Sequence, residues 1–177
     1  MHYGLGLVHI YTGAGKGKTS ASIGLGMRAL GHNLHVLFCQ FFKFETGEKR
    51  VLEGLANLEY RQFRVPSDFF KAYDEQEKEK AKTRFIAFWQ DLLDTIRSEK
   101  YEVVILDEVI YAIHMGLGPA SIITELIKNK PAEVELILTG RDFPDEILAL
   151  ADYVSEIVAH KHPFTDKQIE ARKGIEY

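Results

Sequence analysis

His9-Ile10-Tyr11-Thr12-Gly13-Ala14-Gly15-Lys16-Gly17-Lys18-Thr19 is the stretch whose reading decides the fold. The apolar run Leu5 to Tyr11 leads into it and reads as a buried strand. Ser20 to Leu30 follows with Ala, Ile, Leu and Met at helical spacing, so a glycine-rich turn joins a strand to a helix. Glycines let successive backbone N–H groups converge on an anion without Cβ interference. The helix start adds unsatisfied donors and the positive end of its dipole. In this setting Lys18 reaches phosphate oxygens and the Thr19 hydroxyl faces a Mg²⁺ ion. The candidate phosphate-binding set is therefore Gly13, Ala14, Gly15, Lys16, Gly17, Lys18, Thr19 and Ser20.

The pattern G-x-x-x-x-G-K-[ST] requires a glycine where this chain has Thr12. The first glycine is Gly13, so the loop is one residue short, and it carries an additional Lys16. A clipped cradle is expected to hold a triphosphate in a pose different from the one that exposes a γ-phosphate to attack.

At 177 residues the chain is expected to be one domain with a sizeable core. A formal charge of −4 argues against broad nucleic-acid binding. No apolar run reaches transmembrane length, and the N-terminus lacks a signal-peptide pattern, so no membrane partner is expected. Cys39 is the only cysteine, which excludes an internal disulfide and fits a cytoplasmic protein. Its place in an apolar run marks it as a core residue.

Strand and helix signals alternate along the chain. Asn33 to Cys39 reads as a strand, Gly47 to Leu55 as a short helix, and Leu58 to Phe63 as a strand near an edge. Val65 to Tyr73, with Pro66 and clustered aromatics, reads as a loop able to wall a ligand. The longest helix starts at Asp74 with a charged, solvated segment. It continues with an apolar stripe of Phe85, Phe88, Trp89, Leu92, Leu93 and Ile96. Val103 to Leu106 suggests a central parallel strand buried on both faces. Pro119 to Asn129 reads as a helix, Glu133 to Leu138 as a strand, Pro144 to Ala151 as a helix and Tyr153 to Val158 as the last strand. The tail, His160 to Tyr177, is polar without a clear period.

Such alternation implies a parallel sheet covered by helices on both faces, with ligands bound beyond the carboxyl ends of the strands. Three polar groups fall at those ends: the glycine-rich loop, Asp107-Glu108 and Thr139-Gly140-Arg141. Gln40 to Lys43 joins the same rim. An acidic pair after a buried strand, downstream of a phosphate loop, is a Mg²⁺-binding position, and spacing leaves open whether Asp107 or Glu108 is the ligand. The planar fork of Arg141 suits a phosphate. His160 and His162 lack a third zinc ligand nearby, and no Ser/His/Asp or Cys/His nucleophile arrangement stands out.

These residues together resemble the P-loop type of corrinoid (cobalamin) adenosyltransferase over Leu5 to Tyr177. The loop Thr12 to Ser20 is similar to the family's short variant, with Ala14 where Asn is usual. Gln40-Phe41-Phe42-Lys43, Val104 to Glu108 with Tyr111, and Leu138 to Arg141 match further motifs. The tail segments His162-Pro163-Phe164 and Arg172 to Tyr177 are the most family-specific.

The resemblance implies an α/β fold, a three-layer and mostly parallel sheet of P-loop NTPase (RecA-like) architecture. It implies a single nucleotide-binding domain, 1–177, whose tail, 160–177, contributes to the active site. The implied reaction moves the 5′-deoxyadenosyl group of ATP to the Co(I) centre of a reduced corrinoid and releases triphosphate, a step in cobalamin biosynthesis. Lys18, Lys16 and Arg141 would stabilise the departing charge, and Gln40, Phe42, Lys43 and Phe69 would join the loop in binding substrates. Thr19 and Glu108 would hold Mg²⁺, or Mn²⁺ in its place, with Asp107 behind them. Phe69 matches one member of the family's Phe and Trp pair beside the corrin, while Lys71 stands where the Trp is expected. The family also implies a homodimer and an electron donor such as a flavoprotein. Two alternatives remain at this point. One is a P-loop ATPase or phosphotransferase using Glu108 as base, and the other a nucleotide-dependent corrinoid carrier without turnover.

Overall fold

A computed structural model describes residues 4–43, 46–65, 75–98 and 100–177. The strands are β1 (Val8–Thr12), β2 (Val36–Phe41), β3 (Leu58–Phe63), β4 (Val103–Asp107), β5 (Glu135–Thr139) and β6 (Tyr153–Glu156). The helices are α1 (Lys18–Leu30), α2 (Gly47–Leu52), α3 (Glu75–Arg97), α4 (Tyr111–His114), α5 (Ser121–Asn129), α6 (Asp145–Leu148) and α7 (Pro163–Lys167). The strands form one sheet in the order β3-β2-β4-β5-β1-β6, and every pairing is parallel. The expected mostly parallel sheet is thus wholly parallel.

Alternate residues of the inner strands feed two separate cores, because successive side chains in a strand point to opposite faces. Leu37, Cys39, Val104, Leu106, Leu136 and Leu138 pack with Phe85, Trp89, Leu92 and Ile96 of α3 and with Ile123 of α5. Val36, Phe38, Ile105 and Ile137 pack on the opposite side, with Ala29 of α1 and Leu52 of α2. All five residues of β4 are buried, which explains its unbroken apolar run up to Asp107. The edge placement read for Leu58 to Phe63 holds, since β3 pairs only with β2. Cys39 is fully buried, and burial pushes its thiol pKa far up. It is a core residue.

Several boundaries differ from the sequence reading. β1 starts at Val8 rather than Leu5, and β2 spans Val36–Phe41, so Gln40 belongs to the strand. The helix read from Pro144 to Ala151 contracts to Asp145–Leu148, and the last strand ends at Glu156. Register explains the site. Gln40 pairs with Asp107, Tyr11 with Thr139, and Thr12 with Glu156, so the polar rim lies at one level across the sheet.

Candidate active site

The glycine-rich loop leaves β1 and folds against the chain that follows β6. The Gly15 N–H donates to the Ile157 carbonyl at 2.7 Å. A Cβ on Gly13 or Gly15 would approach that same oxygen to 2.6 Å, inside any real contact, so both positions exclude a side chain. Gly13 (φ 96°) and Gly17 (φ 125°) also need positive φ. Inside the loop, Lys18 is buried, and its Nζ donates to the carbonyls of Gly13 at 2.7 Å and Gly15 at 3.0 Å. Burial lowers the Lys18 pKa, while the nearby Glu108 carboxylate opposes that shift.

Asp107, the last residue of β4, is 0% exposed and accepts four hydrogen bonds. Its Oδ1 receives Thr19 Oγ1 at 2.9 Å and Thr139 Oγ1 at 2.8 Å. Its Oδ2 receives Gln40 Nε2 at 3.0 Å and Lys43 Nζ at 2.9 Å. A buried carboxylate is tolerated only with such pairing. Glu108 follows with φ 62°, a conformation uncommon for a side chain this long, and its backbone N–H donates to Thr139 Oγ1 at 2.9 Å. Burial and the adjacent Asp107 raise the Glu108 carboxyl pKa. Gly140 permits the close passage of this segment, because a Cβ there would meet Ile110 Cγ2 at 2.1 Å.

A cavity of about 520 Å³ opens in front of these groups. Its wall includes loop residues 14–20, then Lys43, Glu48, Glu108, Arg141 and residues 174–177. The expected cluster of Lys16, Lys18, Thr19, Glu108 and Arg141 therefore faces one space. The tail read as aperiodic forms α7 and then returns to the loop, where Lys16 Nζ meets Glu176 Oε1 at 2.9 Å. Arg172, in turn, bonds the Glu176 carboxylate. Hydrogen bonds from Arg172 and then Lys16 hold the Glu176 pKa down at about 2.

Other expected residues stand elsewhere. Gln40 is 0% exposed and lies behind the wall, where it orders Asp107. Asp107 and Gly13 also lie behind it, and Phe42 packs edge-on to Phe63 and Tyr111. Phe69 and Lys71 fall outside the described residues. Glu48 was missed, although an acidic residue beginning a helix after the Gln40–Lys43 motif was a visible signal.

The donor set suits a small divalent ion. Thr19 Oγ1 and the carboxylates of Asp107 and Glu108 are hard oxygen ligands. The Lys43 ammonium lies 2.7 Å from Thr19 Oγ1 and 2.9 Å from Asp107 Oδ2, which marks the spot as one that accepts positive charge. Among the described residues no group of three or more His, Cys, Asp or Glu could hold an ion alone. An ion here would share its shell with phosphate oxygens.

Comparison with known proteins gives the same direction. The family model described as "ATP:corrinoid adenosyltransferase BtuR/CobO/CobP" matches residues 5–177. A corrinoid adenosyltransferase of Escherichia coli K12 is 33% identical over 174 residues, covering 97% of this chain and 86% of that protein. Corrinoid adenosyltransferase CobA of Salmonella typhimurium is likewise 33% identical, with the same coverage. A corrinoid adenosyltransferase of a Sinorhizobium species is 30% identical over 97% of this chain and 80% of its own length. Geometry and comparison together place this chain in the ATP:corrinoid adenosyltransferase family, as a transferase that uses ATP and a corrinoid.

Proposed function

We propose that the clipped loop holds the triphosphate of ATP as a leaving group and offers the ribose C5′ to reduced cobalt. The Co(I) substrate donates an electron pair to C5′ as the C5′–O5′ bond breaks. The pair of that bond departs with triphosphate, and the product carries a Co–C bond. Little proton transfer is needed, so orientation and charge stabilisation carry the rate.

The observation that supports this most is the shared cavity. Lys16, Lys18 and Arg141, all cationic, line a space bounded by the short loop and extending to Glu48 and the tail. Lys18 rests on the carbonyls of Gly13 and Gly15, and Lys16 rests on Glu176. Lys18 and Lys16 would each exchange an internal partner for phosphate oxygens. Thr19 and Glu108, with Asp107 ordering Thr19, would hold Mg²⁺ or Mn²⁺, which would supply further charge neutralisation on the departing phosphates.

Residues 1–177 then act as one nucleotide-binding domain whose tail, 160–177, closes one side of the active site. Phe69 serves the corrinoid, a flavoprotein-type donor delivers the electron, and the working form is a homodimer. Among the described residues no helix is long and apolar enough to cross a membrane. The test is nucleotide turnover with Mg²⁺ in the absence of corrinoid. The proposal expects no ADP release, and steady ADP formation would overturn it in favour of a hydrolase with Glu108 as base.

A further inference from the structure

We infer that Glu48 recognises the ribose hydroxyls of the bound nucleotide, an assignment that rests on the adenosyl-transfer reading above. Glu48 lies in α2 and lines the cavity that also holds the phosphate loop. Its Oε1 accepts from Gln40 Nε2 at 3.1 Å. Its Oε2 has no hydrogen-bond partner, and the residue forms no ion pair, among the described residues. A carboxylate on a substrate wall without a cation is poised for a neutral hydrogen-bond donor.

Gln40 makes this orientation rigid. It is fully buried, and its amide nitrogen also donates to Asp107 Oδ2 at 3.0 Å. Its Oε1 accepts from Thr46 Oγ1 at 3.1 Å and Tyr60 OH at 2.9 Å. Two donors and two acceptors are all engaged, so the amide cannot rotate without losing bonds. The same side chain thus ties Glu48 to the acidic centre.

The identity of the donor follows from charge and sequence of groups along ATP. Phosphates are repelled by a carboxylate and are drawn to the loop lysines. Gln40 Nε2 bridges Glu48 Oε1 and Asp107 Oδ2, and Asp107 accepts from Thr19 at 2.9 Å, so Glu48 sits next to the phosphate end of the cavity. The first donors beyond the phosphates are the 2′- and 3′-hydroxyls. A carboxylate holding that diol would fix the sugar and aim the C5′–O5′ bond for in-line displacement. Glu48 is therefore a specificity-determining residue for the nucleotide.

Calorimetric titration of the folded protein with Mg²⁺ and without corrinoid tests this. The probes are ATP, 2′-deoxy-ATP, 3′-deoxy-ATP and inorganic triphosphate, applied to wild type, Glu48→Ala and Glu48→Gln. Wild type is expected to bind ATP about tenfold to a hundredfold more tightly than at least one deoxy analogue. Glu48→Ala should bind ATP and the analogues alike, with triphosphate affinity unchanged, and Glu48→Gln should fall between. Retained discrimination in Glu48→Ala, or none in wild type, overturns the assignment. A parallel loss for all four probes overturns it too, since that pattern belongs to a residue acting through Gln40 on Asp107. Failure of wild type to bind either ATP or triphosphate would defeat the reading of the site itself.

Discussion

Lys43 and Asp107 form an ion pair at 2.9 Å in which the carboxylate is wholly buried and the ammonium is partly open to the cavity. The pair sits where a divalent ion would approach Thr19. Loss of Lys43 leaves Asp107 with three neutral donors and no directly bonded cation. Lys43→Met is expected to destabilise the ligand-free protein by about 1–3 kcal/mol. Mg²⁺ with ATP should restore part of that loss. Urea unfolding with and without the ligands measures both effects, and an unchanged midpoint in the ligand-free variant would contradict the role.

Lys18 is expected to act on the leaving group. Lys18→Ala should lower kcat by about 100-fold or more, because a fixed cation in a partly dry site is worth several kcal/mol. The protein should still fold, since the alanine removes a buried charge and leaves only two loop carbonyls without that donor. Activity within a few-fold of wild type would refute the assignment.

The loop geometry separates two neighbouring positions. At Gly15 a Cβ would lie 2.6 Å from the Ile157 carbonyl oxygen and 2.8 Å from its carbon, both backbone atoms. Gly15→Ala should lower the melting temperature and abolish nucleotide binding, because the loop must leave Ile157, just after β6, to make room. Ala14, in contrast, is exposed on the cavity side. Ala14→Asn should bind ATP within a few-fold of wild type. Equal effects of the two substitutions would show that the loop is not anchored on Ile157.

Far from the site, Tyr101 donates its hydroxyl to Glu59, with Arg61 alongside. Burial, then the Glu59 hydrogen bond, pushes the Tyr101 pKa up to about 12. A folded-state pKa above the unfolded value means the contribution is complete below about pH 10 and fades as pH rises toward 12. Tyr101→Phe should therefore be less stable than wild type at pH 8, and the gap should shrink by pH 11.5. Denaturant titrations across that range decide it, and a gap independent of pH would contradict the pairing.

Much of this fold was legible because strong local signals agreed with the tertiary outcome. The apolar run ending at Asp107 is buried on both faces, and the stripe from Phe85 to Ile96 meets the sheet at helical period. Two short helices escaped. α4 has four residues and α7 five, too few for a periodic pattern to register. The tail's contribution to the site was expected from the family resemblance alone, since the pairing of Lys16 with Glu176 spans nearly the whole chain and no local pattern carries it. Gln40 was read as a substrate contact, yet its strand register with Asp107 turns it inward. Glu48 follows the same motif in sequence, and that register adds the contact with Gln40 that ties it to the site.

The central claim is that the three phosphates leave together. Phosphorus NMR of the products from ATP, Mg²⁺ and chemically reduced cobalamin tests it most directly. The account predicts intact triphosphate in equal amount to adenosylated cobalamin. ADP and orthophosphate as the phosphorus products, with no cobalt–carbon bond formed, would contradict it.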